Sequence, residues 1–125
     1  MNMQKEAQAQ QFNVIAQQRH QAEETARSNI TAMLRVVKQD QVSLTEAAIR
    51  IMSFRQALPI EQQDQTFFKP FEALALATAH IPILDNWKAL APLQQTSFND
   101  ERTVLEQGHQ ADIQAAAEAY LSSQG

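Results

Sequence analysis

Glycine is almost missing from this chain, with two in 125 residues, at Gly108 and Gly125. Glycine is the residue that takes positive φ at no steric cost, so its scarcity disfavours tight hairpins, most β-sheet folds and phosphate-cradling loops. Alanine (20) and glutamine (19) are the commonest residues instead, and both are good helix formers. The expected class is all-α: about five helices in a helical bundle, with long N- and C-terminal helices. The length suits one domain rather than two. Cysteine is absent, which excludes disulfide scaffolds, thiolate metal sites and thiol catalysis.

The spacing of apolar residues places the helices. The first reads from about Met3 to Lys38 with neither Gly nor Pro. Its stripe runs Phe12, Ile15, Arg19, Ala22, Ala26, Ile30, Met33, Val37 in steps of three and four, the helical period. The stripe vanishes before Phe12, so residues 1–10 are expected to fray or stay disordered. Ser43, Leu44, Thr45 and Glu46 fit a capping box that starts a second helix, which Pro59 ends after Leu58. A short turn over 60–65 follows. A third long segment is expected from Phe67 to about His80, with Thr66 as its N-cap. Ile83, Leu84, Trp87, Leu90 and Ala91 suggest the face of a short helix closed by Pro92. Residues 93–96 read as a connector, and a last helix runs from about Phe98 to Leu121, capped by Thr96 or Ser97. On it, Arg102, Leu105, His109, Ile113, Ala116 and Tyr120 share one sector. Small residues (Val104, Gly108, Ala111, Ala115, Ala119) fill the next.

Large apolar residues are unevenly spread. Residues 1–29 hold five, residues 30–93 hold twenty-four and residues 94–125 hold six. The compact core is therefore expected within 30–93, and the two terminal helices must borrow burial from it, from each other or from another chain. Charge points the same way: residues 1–38 carry five basic and three acidic groups, residues 94–125 one basic and five acidic. The two ends are complementary and are expected to pack antiparallel, within one chain or across a dimer.

Function is less legible. The net charge of −4 suits a soluble cytoplasmic protein and disfavours bulk nucleic-acid binding, which needs a basic footprint. No apolar run approaches the roughly 20 residues of a membrane span, and the first twenty residues lack the apolar core of a signal peptide. Glu106 and His109 have the Glu-x-x-His spacing of di-iron bundles, but those need two such motifs and further carboxylates. One pair is more simply a helix-surface acid beside a half-buried histidine. The serines fall at caps, within helices or in the tail, with no strained turn to expose a nucleophile, so catalysis is not expected. Gln41 to Gln63 imitates a helix-turn-helix only if a turn forms near Ser53, Phe54 and Arg55, where there is no glycine. Trp87 reads as a core anchor. Leu76 lies on an otherwise polar face and is either a lone exposed leucine or a covered one.

The expectation is a protein–protein interaction or oligomerisation module that binds itself, as a homodimer, or another protein. It needs no cofactor and uses neither membrane nor nucleic acid. Interface candidates are Phe12, Ile15, Ile30, Leu76, Leu105, Ile113 and Tyr120. The alternatives are a DNA-associated regulatory protein and a metal or small-molecule binder that uses Glu106 and His109.

Overall fold

The structure, a computed structural model, describes residues 3–39 and 41–124, with side chains from residue 6 onward. Its elements in chain order are α1 (Met3–Lys38), α2 (Leu44–Arg55), α3 (Ile60–Gln63), a 3-10 turn (Thr66–Phe68), α4 (Lys69–Ala77), α5 (Leu84–Lys88) and α6 (Pro92–Gln124). The described residues contain no strand, as the scarcity of glycine leads one to expect. They form six α-helices, and the two terminal ones are by far the longest, at 36 and 33 residues. Of the stretch 1–10 expected to fray, residues 1 and 2 lie outside the described residues, and the chain is helical from Met3 onward.

Local chemistry explains most boundaries. Ser43 caps α2, its Oγ accepting from the Glu46 N–H at 3.1 Å. The Glu46 carboxylate does not return the bond, as a full capping box would. It accepts from Arg50 at 2.7 Å, four residues on. The helix ends at Arg55, three residues before the expected Leu58. Leu58 N–H there donates to Arg55 O in a tightened last turn, and Gln63 Nε2 donates to the freed Leu58 carbonyl at 2.8 Å.

Other boundaries differ from expectation as well. Thr66 opens the 3-10 turn rather than capping a helix, and α4 starts at Lys69 with Pro70 in its first turn. It stops at Ala77: Thr78 N–H still makes the helical bond to Leu74 O, but the next donors, Ala79 N–H and Ile81 N–H, turn tighter onto Leu76 O and Thr78 O. The expected connector 93–96 is the first turn of α6. Pro92 begins this helix instead of only closing the previous one, since a proline at the first position gives up a donor that has no intrahelical partner anyway. Gln94 Oε1 accepts the Ala91 N–H at 2.9 Å, the returning half of a capping box. Thr96 then lies inside the helix, with its hydroxyl on Pro92 O.

The bundle consists of α2, α4, the C-terminal part of α1 and the C-terminal part of α6. Thr45, at the start of α2, bonds Glu106 midway along α6. Arg55, at its end, bonds Glu72 in the first turn of α4, and His80 just past α4 pairs with Glu101 of α6. Gln124 lies beside Arg27, Thr31 and Arg35 of α1. These links make each of the four bundle helices antiparallel to the previous one, with α6 antiparallel to α1. The expected pairing of the terminal helices thus occurs within one chain, over only part of each.

The core is not confined to residues 30–93. Ile113 and Ala117 of α6 are as buried as Ile30, Leu34, Ile51, Phe71 and Leu74, and Ala116 and Tyr120 are nearly so. The small alanine side chains let α6 approach closely. Phe67 stacks on Tyr120 at 4.6 Å between ring centroids. Residues 83–93 add little. Ile83 and Leu84 are exposed rather than forming a buried face, and Trp87 is only half-buried, under the Arg102 guanidinium at 5.3 Å.

Candidate interaction surface

Beyond the bundle α1 continues alone. Residues 6–22 are exposed without exception, and full burial begins at Ala26. This free stretch is an arm about 25 Å long at 1.5 Å per residue. Alanine and glutamine give it helix propensity, yet an isolated helix of this length is marginal in water. The root is fixed: Arg27 Nη2 donates to Gln62 Oε1 at 2.6 Å and lies 4.0 Å from the Glu23 carboxylate.

The arm carries apolar side chains in open water. Phe12 is 72% exposed, and Ile15 and Val14 are each 50% exposed. At about 100° per residue, Phe12, Ile15 and Arg19 fall within roughly 60° of the centre of the stripe Ala26, Ile30, Leu34, Val37. The face that α1 buries in the bundle therefore continues outward after its neighbours have ended. Val14 points to the other side. The hollow beside Phe12, Ile15, Ala16, Arg19, His20 and Glu23 is an open furrow along one helix, not an enclosure for a small molecule.

The other interface candidates divide. Ile30, Ile113 and Tyr120 are corrected: they are buried in the chain's own core, where a second chain cannot reach them. Sequence periodicity marks a face for burial without saying which chain covers it. Leu105 is half-buried against the same core. Leu76 is 69% exposed, with nothing from the described residues over it.

Glu106 and His109 have other work. The Glu106 carboxylate accepts from Thr45 N at 2.9 Å and Thr45 Oγ1 at 2.8 Å. It thereby ties the start of α2 to α6 and satisfies one of the donors that a helix start leaves without a partner. His109 Nδ1 is 2.8 Å from Leu105 O of its own helix. No group of three or more potential metal ligands occurs among the described residues. Ser53, Phe54 and Arg55 are the last turn of α2 rather than the turn of a helix-turn-helix.

A sequence model of one protein family matches residues 1–119. The chain belongs to that family, described as Protein of unknown function (DUF2489). No curated protein and no solved structure matches it. In this DUF2489 chain the match takes in both the arm and nearly all of α6. Sequence reasoning missed two of its contacts, Thr45 with Glu106 and Arg55 with Glu72. Both join residues far apart in the chain, and neither has a local signature.

Proposed function

We propose that the protein is a cytoplasmic, non-catalytic helical interaction module that uses the α1 arm as its docking element. The observation that carries this reading is the extension of the buried α1 stripe into Phe12 and Ile15, exposed beyond the bundle. Single exposed apolar residues are ordinary on proteins. Two on one face of an unsupported helix, in line with a core stripe, are what a partner helix or groove would bury. The open form of the furrow along the arm supports a macromolecular partner over a small molecule. No described helix is long and apolar enough to cross a membrane, and the arm's exposed face opposite Phe12 is mainly glutamine rather than the Lys and Arg that an interfacial lipid helix uses.

The test is a photo-reactive phenylalanine analogue at position 12, in cells of the native host, with the same analogue at Gln17 on the far side of the arm as control. The reading predicts a discrete protein adduct from position 12 and much less from position 17. Equal labelling from both, or none from position 12, overturns it.

A further inference from the structure

The arm's partner can be named from its own side chains, on the reading that the arm is a docking element. Gln8, Phe12, Ile15, Arg19 and Ala22 are spaced 4, 3, 4 and 3 apart, which is a heptad seam. We propose that the arm pairs antiparallel with the arm of a second copy of this chain, in the register that sets Phe12 against the partner's Ile15 and Gln8 against the partner's Arg19.

Charge and hydrogen bonding select this arrangement. A parallel pair in register would stack Arg19 on Arg19 in the seam, opposing like charges where there is least water. An antiparallel pair shifted by one heptad would set Ile15 against Arg19 and leave Phe12 against only Ala22. The proposed register instead puts each Arg19 opposite an uncharged glutamine. The arginine stem lies along the seam with its guanidinium at the edge, where the Gln8 side-chain oxygen accepts from it. The two central layers are then Phe12 with Ile15, twice, by symmetry. Flanking positions also match themselves. Gln11 faces the partner's Gln18 on one side, and Ala9 faces the partner's Ala16 on the other, so the flanks oppose no like charges. The face is self-complementary, as a two-fold interface requires. It also continues a stripe that α2 and α6 already cover, both of them antiparallel to α1. A seam of about 21 Å from Gln8 to Ala22, one helix wide, falls short of the roughly 800 Å² per partner of a standard interface. The pair is therefore expected to be weak, with a dissociation constant on the order of 10–100 µM.

Two measurements on the purified full chain test this. Sedimentation velocity from about 5 to about 500 µM, across the weak-binding range, is expected to show a monomer–dimer shift, which Phe12→Asp weakens at least tenfold. The bundle melts of this variant and of the parent, followed by circular dichroism, are expected to coincide, because Phe12 touches no core residue. The chain has no cysteine, so introduced thiols report without background. Under mild oxidation, Gln8→Cys mixed with Arg19→Cys should give the mixed disulfide, and Gln8→Cys alone should give none. A monomer throughout the range, or a disulfide from Gln8→Cys alone, overturns the proposal. If position 12 labels only a different protein in cells, the second copy is refuted and the interaction reading stands; if it labels nothing, both fail.

Discussion

Replacing Glu106 with Leu separates a structural role for this carboxylate from a ligand role. Its carboxylate holds two donors of Thr45, the backbone N–H and the hydroxyl, at 2.9 and 2.8 Å. Thr45 is 7% exposed, so water does not readily replace the acceptor. A hydrogen bond to a charged group contributes about 1.5–3 kcal/mol. Two would sum to about 3–6 kcal/mol, but Glu106 is only half-buried and its rehydration offsets part of that. A net loss of about 2–3 kcal/mol follows, or roughly 10 °C in Tm for a domain of this size. Thr45→Val removes one of the two bonds and is expected to cost about 1 kcal/mol. The double variant should be less destabilised than the sum, with a coupling of about 1 kcal/mol between the two residues. Urea unfolding followed by helical circular dichroism and by Trp87 fluorescence gives all four corners of the cycle. If Glu106→Leu stays within about 0.5 kcal/mol of the parent, a range typical of surface changes, the stapling role is wrong.

Three further expectations follow from the packing. Leu34→Ala, at a fully buried position, should cost about 2–5 kcal/mol in urea unfolding, whereas Phe12→Ala at low protein concentration should change bundle stability by less than about 0.5 kcal/mol. Gly108 lies inside α6, and a Cβ there would meet nothing within 4 Å. Gly108→Ala should therefore raise stability by about 0.5–1 kcal/mol; a loss in the same unfolding assay would show that something covers this face. Leu84 has φ of 53° and is exposed, so Leu84→Gly should relieve about 1 kcal/mol of left-handed strain. An increase in Tm checks this, and a clear decrease would mean that Leu84 packs against something.

The parts of this fold readable from sequence are those set by local chemistry. The Ser43 cap, the break at Pro59 and the uninterrupted run from Met3 to Lys38 rest on residues within a turn of each other. Pro92 is ambiguous for the same reason. One proline both stops a helix and starts the next, and the choice turns on Gln94 reaching back to Ala91 N–H. Periodicity identifies which side chains of α1 and α6 are apolar on one face. It cannot say that Ile30, Ile113 and Tyr120 meet inside one chain while Phe12 and Ile15 are left outside, because that depends on where α6 ends beside α1. Glu106 shows the same limit in the candidate site. Its spacing to His109 along the helix suggests a ligand pair, whereas its actual partner, Thr45, is 61 residues away.

Amide hydrogen exchange on the purified protein, read segment by segment at low and at high concentration, tests most directly whether a second copy covers the exposed face of the α1 arm. Residues 26–37 should be protected equally at both concentrations, since their own bundle covers them. Residues 8–19 should exchange quickly when dilute, as a lone helix does, and slow severalfold when concentrated. Equal exchange of the arm at the two concentrations would contradict the pairing of two copies.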